Sequence, residues 1–79
     1  MEYTFSNLAS KLNVLSMADI RDYHKIYEVG KIEAITEKAV RIELKSLGET
    51  IWLPLSLLRI STSNELWLIS WRFRQLYGE

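Results

Sequence analysis

Ala39-Val40-Arg41-Ile42-Glu43-Leu44 alternates apolar and charged side chains without a break. Val40, Ile42 and Leu44 fall on one face of an extended chain and Arg41 and Glu43 on the other, the period of two expected of a strand with one buried side. On its N-terminal side Glu37-Lys38 is a short polar break. Before that, Tyr27 to Thr36 reads as another strand, carrying Val29, Ile32 and Ile35. Gly30 inside it marks a bulge or sharp bend. On the C-terminal side Ser46-Leu47-Gly48 is a turn with a glycine available for positive φ. Thr50 to Leu53 is a third strand, stopped by Pro54, the only proline. Leu55 to Leu58 reads as one helical turn or a corner, Arg59 to Thr62 as a fourth strand, Ser63-Asn64 as a turn and Glu65 to Ile69 as a fifth strand. Ser70 is expected to cap a last helix carrying Trp71, Arg72, Phe73, Arg74, Leu76 and Tyr77, ended by Gly78.

Residues 1–25 read differently. Phe5, Leu8, Ala9, Leu12 and Leu15 recur at helical spacing, with Ser6 or Asn7 as cap. Ser16 and Asp19 have the spacing of a capping box, and Ile20, Tyr23 and Tyr27 continue an apolar face. One bent helix and two short ones fit equally. The expected fold is therefore α+β: an N-terminal helical segment (1–25) packed on a small, strongly bent five-stranded antiparallel sheet or barrel (26–69), with a short C-terminal helix (70–79), all in a single domain.

The chain has 79 residues and 48% hydrophobic side chains, enough for one packed core and too apolar for disorder. Ten basic and ten acidic residues cancel, so whole-chain charge points to no nucleic-acid or membrane partner. Cysteine is absent, which excludes disulfides and thiolate metal sites. The N-terminus does not read as a signal peptide and the apolar stretches are too short to span a bilayer, so a cytoplasmic protein is expected.

Thr36-Glu37-Lys38-Ala39-Val40, then Trp52-Leu53-Pro54 with Ser56, then Ile69-Ser70-Trp71 stand in the order of a T-E-K-A-hydrophobic, W-L-P-K-S and P-x-W-L pattern. In these motifs residues 30 to 77 resemble a group of small uncharacterised proteins encoded by phages and bacteria. Leu55 replaces the lysine of the second motif, and the proline opening the last helix is missing. The resemblance implies a compact β-rich domain similar to OB or SH3-like barrels and a phage or mobile-element setting. It supplies no catalytic residue.

The inventory argues against an enzyme. His24 is the only histidine, and in a helix Asp22 would point to a different face, so no metal site is expected. The serines stand at turns and caps, and no phosphate-binding loop, dinucleotide fingerprint or nucleophile elbow is present. No cofactor is expected. Residues 50 to 78 concentrate Trp52, Trp67, Trp71, Phe73 and Tyr77 beside Arg59, Arg72 and Arg74. Rings stack bases, at about 1–3 kcal/mol each, while guanidinium groups hold phosphates. The expected nucleic-acid or partner surface is Trp67, Trp71, Arg59, Arg72 and Arg74, with Arg41 and Lys38. The same mixture suits protein hot spots. A protein-interaction module, such as an inhibitor of a host protein or a self-assembling homo-oligomer, is the competing reading, and core filling competes for each tryptophan. Convergence of the arginines beside an exposed tryptophan would favour nucleic acid. Exposed apolar surface without converging bases would favour a protein.

Overall fold

In a computed structural model that describes residues 3–78, the chain runs α1 (Phe5–Ala9), β1 (Asn13–Val14), a 3-10 turn (Asp19–Arg21), β2 (Tyr23–Lys25), β3 (Val29–Ile35), β4 (Ala39–Leu44), β5 (Glu49–Pro54), a 3-10 turn (Leu55–Leu57), β6 (Leu58–Ile60), β7 (Leu66–Ile69) and α2 (Ser70–Tyr77). The alternating stretch forms β4 with the expected bounds. Val40, Ile42 and Leu44 are fully buried, while Arg41 is exposed and Glu43 partly so.

β4 is the centre of a three-stranded meander, β3-β4-β5, with both neighbours antiparallel. Gly30 lies where the β3–β4 register shifts, as a bulge requires. The Glu43 carboxylate closes over it and accepts the Lys31 N–H at 3.2 Å. A Cβ at residue 30 would stand 2.8 Å from Glu43 Cδ, so a larger residue there would push the Glu43 carboxylate off the Lys31 N–H. Gly48, at φ 69°, supplies the left-handed residue of the β4–β5 turn.

The second sheet has the order β1-β6-β7-β2, with β1 parallel to β6 and the other pairs antiparallel. Leu58, Ile60, Leu66 and Leu68 turn inward from it to meet Ile32, Val40, Ile42, Leu44 and Leu53 from the meander, with Leu8, Leu12 and Ile26 completing the core. Each fully buried leucine contributes roughly 1.5–3 kcal/mol.

The expected α+β fold is thus overturned. Among the described residues the protein is mostly sheet, with seven strands in two sheets that do not close, and neither a single five-stranded antiparallel sheet nor a barrel is formed. The difference arises in residues 1–25. Thr4, rather than Ser6 or Asn7, caps α1: its Oγ1 accepts from Asn7 N–H at 3.2 Å, and Asn7 Oδ1 accepts from Thr4 N–H at 2.9 Å. One turn later the helix stops. Ser10 Oγ bonds back to the Asn7 carbonyl, and Asn13 and Val14, poor helix formers, pair with Arg59 and Ile60. Ser16 and Asp19 do exchange reciprocal main-chain to side-chain bonds, at 3.0 and 3.2 Å, but the turn they set is a single 3-10 turn. Tyr23-His24-Lys25 then pairs with β7. Of the apolar series 20, 23 and 27 only Tyr23 is buried; the helical spacing there is coincidental.

At the other end Ser70 is the first helical residue and not the cap. Ile69 takes the cap position, and Ser70 Oγ is buried without a partner among the described residues. Gly78 ends α2 in the left-handed region, as expected. No helix is long and apolar enough to cross a membrane among the described residues.

Candidate functional site

The residues expected to form one binding surface fall in three places. On the outer face of the second sheet, Trp67 has Arg59 and Lys25 as its cross-strand neighbours. Arg59 is committed to the fold. Its Nη1 donates to the Ser56 and Leu58 carbonyls at 3.0 and 2.8 Å, its Nε lies 3.7 Å from Asp19 Oδ2, and its guanidinium sits 5.0 Å from the centre of the Tyr23 ring. A guanidinium that satisfies two carbonyls, a carboxylate and a ring clamps the Asp19–Arg21 turn onto the sheet and has little left for a phosphate. Trp67 is partly buried, and its Nε1 is buried without a partner among the described residues. Lys25 pairs with Glu65, which raises its pKa.

The second group lies on α2. Phe73 faces inward, stacked between His24 and Tyr77 at 4.7 and 4.4 Å. Arg72 donates to Gln75 Oε1 at 3.0 Å. Trp71 is half exposed and, one helical turn from Arg74, shares with it a cleft of about 440 Å³. The opposite wall is Asp19, Arg21, Asp22 and Tyr23, with Ile69 and Ser70 at the base. The Ser70 N–H donates to the Asp22 carbonyl at 2.8 Å, tying the start of α2 to the residue that closes the 3-10 turn and so bringing the two sides of the cleft together. Arg21, Asp22 and Arg74 carry no ion pair among the described residues.

The third group is on the outer face of the meander. Arg41 stands beside Trp52 across β4 and β5 and pairs with Glu33 at 3.5 Å. Lys38 is in the β3–β4 turn, and its carbonyl accepts the Leu55 N–H. Trp52 is 47% exposed. The opposite phase of Trp52 to Ile51 and Leu53 signals that side of the strand in the sequence, but among the described residues no helix covers it and Trp52 stays exposed.

Sequence reasoning missed the acidic wall of the cleft. The signal was the Ser16–Asp19 spacing, which places Asp19 and Arg21 on a tight turn. Arg21 reads in sequence only as part of a solvated face.

The ionised Asp19 is held by the Ser16 backbone N–H, then by the Ser16 hydroxyl and Arg59, so its pKa lies below the ordinary 3.8. A depressed carboxylate pKa contributes stability above the unfolded-state value and loses it as pH falls through the folded-state value. Urea midpoints taken near neutral pH and well below pH 3.8 are therefore expected to fall less for Asp19→Asn than for wild type. Equal falls would contradict this assignment.

No family model matches the chain, and no curated protein or solved structure matches it.

Proposed function

We propose that the protein is a non-catalytic protein-interaction module whose binding site is the cleft between the Asp19–Arg21 turn and the start of α2. The observation that carries this reading is the mixed charge around Trp71: Arg21 and Arg74 stand in the same cleft as Asp19 and Asp22. A polyanion meets the uncommitted Asp22 carboxylate beside its stacking ring, whereas a peptide can present both charge signs and an apolar side chain to Arg21, Arg74 and Asp22. The apolar surface beside the cleft supports the same reading, since Ile20 on the turn and Met17 just before it are 49% and 86% exposed. Asp19 is already matched by Arg59, so the uncommitted charges are Arg21, Arg74 and Asp22. The partner is accordingly a segment with a bulky apolar side chain for Trp71 and an adjacent carboxylate for Arg21 or Arg74.

A random peptide library selected on the immobilised protein tests this. Expected is enrichment of peptides that place an acidic residue beside an aromatic or aliphatic one. Their binding should weaken at least tenfold in Trp71→Ala, about 1.4 kcal/mol, and also weaken in Arg74→Glu. Peptides that bind both variants unchanged would overturn the site. Saturable, salt-sensitive quenching of tryptophan fluorescence by a single-stranded oligonucleotide would overturn the partner class and restore nucleic acid.

A further inference from the structure

The two sheets have four edges, and three of them are guarded. β1 and β2 are two and three residues long. β3 is broken by register shifts, has its Lys31 N–H taken by Glu43, and is bridged at Ile32 by Tyr3. Short strands, bulges and covering segments are how native sheets prevent edge pairing. β5 differs. It is six residues long, follows β4 in unbroken register, and carries no charge from Thr50 to Leu53.

The phase of its free side is fixed. The Leu55 N–H donates to the Lys38 carbonyl at 2.8 Å, so Leu53 and Ile51 turn their main-chain groups to β4, and Thr50 and Trp52 turn theirs away. No hydrogen bond among the described residues occupies that outward side.

We propose that two copies of the chain pair antiparallel through β5, about a two-fold axis at Ile51, joining the two meanders into one continuous sheet. The strand complements itself in this register. Thr50 of each copy lies opposite Trp52 of the other, so the outward donors and acceptors of both residues are met. Pro54 has no N–H to offer and falls opposite Gly48, whose own N–H is already given to the Leu44 carbonyl at 2.9 Å. The proline thus costs the pairing nothing. Glu49, the only charged residue of β5, falls opposite Leu53 and not opposite another acid. The two Trp52 side chains become diagonal neighbours on the outer face, within mutual reach of aromatic rings, which accounts for the exposure of Trp52 in the single chain. Zero formal net charge leaves no overall repulsion between copies. This interface is separate from the cleft at α2.

Analytical ultracentrifugation over the micromolar range, with amide hydrogen exchange on the same samples, tests the pairing. The expected mass is twice the 9.3 kDa of the chain, with the Trp52 amide protected although it points away from β4. Thr50→Pro removes an outward N–H and no bond to β4, so it should give a folded monomer with a fast-exchanging Trp52 amide. Thr50→Lys, which puts a charge on the same edge, serves if the proline variant does not fold. A wild-type chain that stays at single mass would overturn the proposal. So would a dimer that survives these variants, or one in which the Trp52 amide exchanges freely. Trp71→Ala should leave the mass unchanged, which separates this result from that of the cleft.

Discussion

Ile42→Ala is expected to lower the free energy of unfolding by about 2–5 kcal/mol. Ile42 is fully buried in the middle strand of the meander, flanked by Ile32 on β3 and Ile51 on β5. Removing its three outer carbons forfeits their transfer free energy and opens a cavity. The surrounding strands cannot close that cavity, because β4 is held by main-chain bonds on both sides. Small domains hold only about 5–15 kcal/mol in total, so the variant should be close to unfolding at ordinary temperature. Ile20→Ala is the matched control. Ile20 is 49% exposed on the 3-10 turn, and its loss should change stability by less than about 0.5 kcal/mol. Urea denaturation of both variants checks the pair. A comparable loss at Ile20 would mean that the N-terminal segment packs as the helical spacing suggested and not as the structure shows.

Arg59→Ala carries the second large effect. The side chain ties the Ser56 and Leu58 carbonyls, the Asp19 carboxylate and the Tyr23 ring together. Hydrogen bonds from a charged donor are worth about 1.5–3 kcal/mol, and the variant leaves acceptors without their donor, so a loss of that order is expected. Arg59→Lys should recover less than half of it, since a single ammonium cannot hold the two carbonyls that Nη1 meets and the Asp19 carboxylate that Nε faces at the same time. Thermal or urea unfolding reads the loss directly. A residue serving only to hold a ligand would leave stability unchanged on truncation, and that result would return Arg59 to the binding surface.

Much of the meander was legible in the sequence. The alternation of residues 39–44 fixes a strand and its buried face together, the glycines fall at the bulge and at the left-handed turn position where glycine is favoured, and Pro54 ends β5. Residues 1–25 were not legible, for a physical reason. Phe5, Leu8, Ala9 and Leu12 are spaced like one helical face, and Leu8 and Leu12 are indeed buried. Burial of that set is satisfied equally by a single helical turn followed by a reversal. What decides between them is pairing with β6 and β7, strands more than forty positions away in the chain. Such short strands, of two and three residues, leave no periodicity to detect.

The candidate site was legible only in part. The clustering of tryptophan and arginine after residue 50 is real in sequence, but strand and helix phases send these side chains to different faces. Arg59 turns back onto its own backbone, Arg41 stands on the meander, and Trp71 and Arg74 alone share a cleft with each other. The acids of that cleft come from the N-terminal segment whose fold the sequence concealed.

The most direct test follows the three tryptophan indole N–H resonances while the protein is titrated with a library-selected peptide. The Trp71 resonance is expected to move saturably while those of Trp52 and Trp67 stay in place, because of the three only Trp71 lines the cleft. A stationary Trp71 resonance in the presence of a peptide that binds would contradict it.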